Sequence, residues 1–148
     1  MIVSLGDLPS LAGRVTMVDG SFDPIHDGHV AYFRAAHDIG HPVLCNVTTD
    51  TWTATKHPVL LDATRRAVVL DAVRWIDYVH VASVATVEVL RQLRPLVYAK
   101  GADWLARGGL PHEEVGVCEA QGTEIRYLDT VRNSSSAVLE DFMRRSAR

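Results

Sequence analysis

Cysteine is scarce, strong charge of either sign is missing, and no apolar run is long enough to cross a bilayer. Each of these absences removes a class of protein. The two cysteines, Cys45 and Cys118, lie in separate apolar segments with no Cys-x-x-Cys spacing, which excludes a redox or zinc motif and points to buried thiols in a reducing compartment. A net charge of -3 excludes a broad nucleic-acid or anionic-membrane surface, so an anion site must be local. No basic region precedes a long apolar stretch, so the chain is expected to be cytoplasmic, with neither a membrane nor a nucleic acid as partner.

What is present is ordinary for one globular unit. A chain of 148 residues with 47% hydrophobic side chains can bury a substantial core, and no linker, repeat or low-complexity segment divides it. Residues 1–148 are therefore read as a single domain, with residues 1–13 as an N-terminal arm. Apolar runs predict strands at about Arg14 to Val18, Val43 to Val47, Tyr78 to Val81, Leu96 to Ala99 and Glu124 to Leu128. Helical patterns predict helices at about His29 to Ile39, Ala63 to Trp75 behind an Asp62 cap, Thr86 to Leu93, Glu113 to Gln121 and Ser134 to Arg145. Thr51 to Pro58 shows no period and reads as a loop. Strands alternating with helices predict an α/β fold, a Rossmann-like, doubly wound, parallel five-stranded sheet.

The most informative stretch is Gly20-Ser21-Phe22-Asp23-Pro24-Ile25-His26-Asp27-Gly28-His29, between the first strand and the first helix. A strand that turns into a helix presents unpaired N–H groups and the positive end of the helix dipole, which together bind anions. Gly28 lets backbone approach a bound group, and the imidazoles of His26 and His29 donate to phosphate oxygens. A polyphosphate is the expected ligand. Helix capping is the plainer role for the histidines, and a zinc site lacks a third ligand at suitable spacing. In a doubly wound sheet ligands bind outside the carboxyl ends of the strands, and the loops there also carry Asp50, Lys56, Lys100, Asp103, Arg132 and the run Ser134-Ser135-Ser136. Hydroxyls and free N–H groups at the start of the last helix can hold a second stretch of phosphate, or simply cap it.

The ten-residue stretch resembles the signature of the cytidylyltransferase-like nucleotidyltransferase superfamily, a Gly-x-Phe-Asp turn followed by His-x-Gly-His. That resemblance implies a homodimeric enzyme that transfers a nucleoside monophosphate from a nucleoside triphosphate to a small phosphorylated acceptor, with Mg²⁺ on the phosphates and Asp23 as an indirect ligand. His26, His29 and Lys56 are then the catalytic residues. Gly20, Ser21, Phe22, Asp23, Gly28, Gly101, Asp103, Arg132, Ser134, Ser135 and Ser136 are expected at the nucleotide, and Asp50, Arg66 and Trp104 at the acceptor. For Arg66 a helix-surface ion pair is the competing reading. The turn Lys100-Gly101-Ala102-Asp103-Trp104 is similar both to the Lys-Gly-Gly-Asp-Tyr of heptose-phosphate adenylyltransferases and to the Met-Gly-Asp-Asp-Trp of glycerol-phosphate cytidylyltransferases. ATP with a sugar 1-phosphate is favoured slightly. The alternatives are CTP with a polyol phosphate or phosphonate, and a non-catalytic nucleotide-binding module. Thr130-Val131-Arg132-Asn133 departs from the Arg-Thr-Glu-Gly of the second group, and the arginine is displaced in sequence.

Overall fold

The computed structural model describes residues 1–130 and 134–148. Its strands are β1 (Ile2–Val3), β2 (Thr16–Gly20), β3 (Val43–Val47), β4 (Tyr78–Val81), β5 (Val97–Gly101) and β6 (Glu124–Leu128). All adjacent pairs run parallel, in the order β1-β4-β3-β2-β5-β6. The helices are α1 (Asp27–His37), α2 (Asp50–Ala54), α3 (Ala63–Asp71), α4 (Thr86–Leu93), α5 (Asp103–Ala106), α6 (His112–Gln121) and α7 (Ser135–Ser146), and Leu5–Leu11 forms a 3₁₀ turn.

The sheet thus has six strands where five are expected, because residues 1–13 are not a loose arm. Ile2 and Val3 pair with Val79 and His80 of β4, and Leu8 and Leu11 of the 3₁₀ turn are buried. Two residues are too few to show an alternation, so this strand has no sequence signal of its own. The expected loop at Thr51 to Pro58 likewise starts as a helix. The Thr49 hydroxyl caps α2 by accepting the N–H of Trp52 at 3.1 Å. The helix from Ala63 stops at Asp71 instead of running to Trp75, and Asp62 does cap it, accepting from the N–H of Arg65 at 2.9 Å.

Alternation along the buried strands divides two cores. Val18, Val43, Cys45, Val47 and Val79 pack with Tyr32, Phe33 and Ala36 of α1 and Ala67 and Leu70 of α3. Met17, Leu44 and Tyr98 face the other way, against the 3₁₀ turn, Val89, Leu90 and Leu93 of α4, and Cys118 of α6. Both cysteines are buried and unbridged. Among the described residues no helix is long and apolar enough to cross a membrane.

This winding places the site. From β2 the chain moves outward through β3 to β4, then returns to β5 on the other side of β2. The strand order reverses between β2 and β5, and ligands of such sheets bind in the crevice outside the carboxyl ends at that reversal.

Candidate active site

β2 ends in a turn folded onto itself. Phe22 has φ of 53°, which brings its ring back over Gly20; a Cβ at Gly20 would lie 2.9 Å from that ring. The ring then serves as a wedge, edge-on to His29 at 4.9 Å and to Phe33 at 5.0 Å between centroids. Asp23 is fully buried, and its two carboxylate oxygens accept the N–H groups of Leu60 at 2.7 Å and Leu61 at 2.9 Å. Both oxygens are thus engaged in clamping the segment before α3 onto the turn.

The turn delivers two imidazoles to the start of α1. His26 is the N-cap, and its N–H donates to Nδ1 of His29 at 3.3 Å. With Nδ1 accepting, the hydrogen of neutral His29 sits on Nε2, the donor a phosphate oxygen needs. The two rings stack 3.7 Å apart. Both ring nitrogens of His26 are buried with no partner among the described residues. Buried polar atoms are rarely left so, and an oxygen-rich ligand would complete them.

Burial holds His29 down at a pKa of about 3, with the neighbouring His26 adding to the effect; burial also lowers His26, partly opposed by Asp27. Both rings are therefore neutral in the free protein at neutral pH. The unfolded chain binds a proton on His29 below the ordinary value of 6.5 while the folded site refuses it down to about 3, so stability is lost as pH falls through that window. We expect the Tm, followed by calorimetry from pH 7 to pH 5, to fall further for the wild-type protein than for His29→Asn, which has nothing to titrate there. Equal falls would contradict the burial of His29.

A cationic group lies at the reversal point. Lys100, at the end of β5, is 5% exposed, and its ammonium lies 3.5 Å from Oδ2 of Asp19 and 4.8 Å from the centroid of the Trp104 ring. Arg107 pairs with Asp103 at 3.3 Å and lies 5.2 Å from the same ring. Lys56 is on the exposed surface, yet its ammonium is held below the usual lysine range. Desolvation is the leading cause, then Lys100 and Arg107, with Asp19 and Asp103 pulling the other way. Lys56, Lys100 and Arg107 thus share one electrostatic neighbourhood.

The other expected residues divide between this mouth and its supports. Trp104 is at the mouth. Asp103 places its carboxylate against Gly101, where a Cβ would lie 2.5 Å from Oδ1. Ser135 donates to the carbonyl of Pro24 at 2.8 Å, tying the start of α7 to the histidine turn, and Ser134 caps α7 through the N–H of Ala137 at 3.1 Å. Ser136 follows in the first turn of α7. Gly28 is buried in the first turn of α1. Ser21 and Thr48 share a hydroxyl contact of 2.9 Å beneath the turn. Arg132 lies outside the described residues.

Arg66 is neither at the mouth nor on a helix surface. At 1% exposure it donates to the carbonyls of Leu61, Ser21 and Thr48 and, at 2.6 Å, to Asp50, so this pair fastens the loops after β2 and β3 to the start of α3. Sequence reasoning missed Asp19 and Arg107 as site residues, and it placed Lys100 at the ligand edge without giving it a role. The available signal was charge at the ends of two strands otherwise fit for burial, Val15 to Asp19 and Val97 to Lys100.

The family model described as cytidylyltransferase-like matches residues 17–139. Over 136 residues the chain is 31% identical to the bifunctional protein HldE of Citrifermentans bemidjiense, and this covers 88% of the chain but 27% of that protein. The corresponding protein of Azorhizobium caulinodans is 34% identical over 85% of the chain and 26% of its own length. The chain thus spans about a quarter of the length of these relatives. Among solved structures, a lipopolysaccharide core biosynthesis protein from Thermoplasma volcanium shares the fold with a TM-score of 0.66 at 15% identity, over 82% of this chain and 98% of that one. The pantothenate synthetase of Thermus thermophilus does so with a TM-score of 0.65 at 16% identity, over 99% of this chain and 70% of that one. The histidine turn, the strand order and the family match agree: the chain belongs to the cytidylyltransferase-like nucleotidyltransferase family.

Proposed function

We propose that this chain transfers an adenylyl group from ATP to a small phosphorylated acceptor such as a sugar 1-phosphate, releasing pyrophosphate. The observation that carries the reading is the pair of stacked imidazoles at the N-terminus of α1, with the nitrogens of His26 buried and without partners among the described residues. An acceptor phosphate oxygen attacks the α-phosphorus, the bond from that phosphorus to its bridging oxygen breaks, and pyrophosphate leaves. The acceptor is already a nucleophile, so the protein need only position the reactants and stabilise charge. His26 and His29 donate to the phosphate oxygens on which charge grows, and Lys56 approaches from the segment after α2.

Mg²⁺ carried in by the triphosphate belongs to this reading. There it would neutralise the β- and γ-phosphates. ATP and a sugar phosphate are favoured by Lys100-Gly101-Ala102-Asp103, while Trp104 favours the second reading, CTP with a polyol phosphate or phosphonate. A homodimer in the cytoplasm belongs to the same proposal.

The test is pyrophosphate release from ATP, CTP, GTP and UTP against sugar, polyol and phosphonate acceptors. Release that requires both ATP and a sugar phosphate is expected. Tight binding of a triphosphate with no turnover on any acceptor would overturn catalysis in favour of a binding module.

A further inference from the structure

Four polar side chains stand at one level across four adjacent strands. Register pairs His80 of β4 with Asn46 of β3, and Asn46 with Asp19 of β2; Lys100 follows on β5. All four lie on the face that Tyr78, Leu44, Met17 and Tyr98 occupy one pleat earlier, at its carboxyl edge. His80 and Asn46 are fully buried. The imidazole Nδ1–H of His80 donates to Oδ1 of Asn46 at 2.7 Å, which turns the Asn46 amide so that Nδ2 donates to Oδ1 of Asp19, also at 2.7 Å.

The far end of this chain of hydrogen bonds is incomplete. Among the described residues Oδ2 of Asp19 has only the Thr86 hydroxyl at 3.4 Å and the Lys100 ammonium at 3.5 Å, well beyond the 2.7–2.9 Å usual for a charge-assisted bond. Among the described residues the other hydrogen-bond acceptor of Lys100 is the Asp19 carbonyl, at 3.3 Å. A nearly buried carboxylate oxygen and a nearly buried ammonium thus meet in a long ion pair of 3.5 Å, which leaves each with capacity for a further partner. The group that suits both is a hydroxyl, which donates to the carboxylate while accepting from the ammonium. A phosphate cannot donate to Asp19, and an ammonium cannot accept from Lys100.

The aromatic rings point the same way. A quaternary ammonium acceptor, with no N–H to donate, favours an open ring face. Trp104 already carries Lys100 at 4.8 Å and Arg107 at 5.2 Å, and Trp52 carries Lys56 at 5.6 Å.

Resting on the transferase reading above, we propose that Asp19 and Lys100 form the subsite for the carbon chain of the acceptor. This chain is neutral and hydroxylated, and no amino-alcohol takes its place. Asp19 is the specificity-determining residue; Asn46 and His80 are positioning residues that fix which oxygen of Asp19 is free.

The full-length chain is assayed with a sugar 1-phosphate, the same sugar phosphate lacking single hydroxyls, glycerol phosphate, phosphoethanolamine and phosphocholine. One deoxy compound is expected to lose tenfold or more in kcat/KM, and the amino-alcohol phosphates to be the poorest acceptors. In Asp19→Asn the acceptor KM rises tenfold or more, the KM for ATP stays within twofold, and the deoxy compound is no longer disfavoured. His80→Phe shifts the acceptor KM in the same direction, and His80→Asn, which keeps a donor to Asn46, restores it. A merely structural role would move both KM values together, which would overturn the proposal, as would a preference for phosphocholine or phosphoethanolamine. If no acceptor turns over, the transferase reading fails by itself. Calorimetry then decides the subsite: sugar-phosphate binding that Asp19→Asn weakens upholds it, and equal or absent binding overturns it.

Discussion

Replacing His29 with alanine is expected to lower acceptor-dependent pyrophosphate release by about 10²- to 10³-fold in kcat, the typical cost of removing one preorganised donor to a developing charge. The effect should fall on kcat more than on the KM for ATP, because the N–H groups at the start of α1 remain to bind phosphate. Two features of the fold make the loss large. His29 is propped edge-on by Phe22 and has its tautomer set by the N–H of His26, so its Nε2 hydrogen is held in place before the substrate arrives. Burial also keeps it neutral, so its donor is strengthened by a poorly solvated surrounding. His29→Gln, which retains an N–H donor, should recover part of the rate. A His29→Ala enzyme within threefold of wild type would remove the imidazole from the mechanism.

Replacing Arg66 with methionine is expected to produce the largest loss of stability, about 3–5 kcal/mol, from stripping a buried hub of its donors. Methionine keeps much of the stem but none of the N–H groups. The carbonyls of Leu61, Ser21 and Thr48 then lose their guanidinium partner at once. At roughly 2–4 °C per kcal/mol for a chain of this size, the Tm should drop by about 6–20 °C. Lysine supplies a point charge that cannot serve three carbonyls in different directions, so Arg66→Lys should recover only a minor part. Asp50→Asn should cost far less, since the Asp50 side chain is 47% exposed and its pairing is screened. A Tm shift below about 3 °C for Arg66→Met would show that the loops hold without the hub.

What could be read ahead of the structure was what is local in the chain. The turn from Gly20 to His29, the cap at Asp62 and the strand at Val43 to Val47 all depend on neighbours in sequence, and the structure places them accordingly. The features that escaped depend on strand order. β1 exists because two residues at the N-terminus find an open edge on β4. The chain from His80 to Lys100 exists because four strands from different parts of the sequence meet at one level, and nothing near His80 announces that its Nδ1 will meet Asn46. Arg66 followed the same rule. Its helix shows an ordinary mixture of arginines and apolar residues, and only the packed fold separates buried Arg66 from exposed Arg65.

The central claim is direct transfer of a nucleotidyl group at the histidine turn, and the fate of the phosphorus atoms tests it. With ATP labelled at the α-phosphorus and, separately, at the γ-phosphorus, together with a sugar 1-phosphate, product from the wild-type chain should carry the α-label joined to the acceptor. All γ-label should appear in pyrophosphate, and both transfers should slow together in His29→Ala. Gamma label in the acceptor product, or released as inorganic phosphate independently of acceptor, would assign the chain to phosphoryl transfer or hydrolysis and contradict the mechanism proposed for this site.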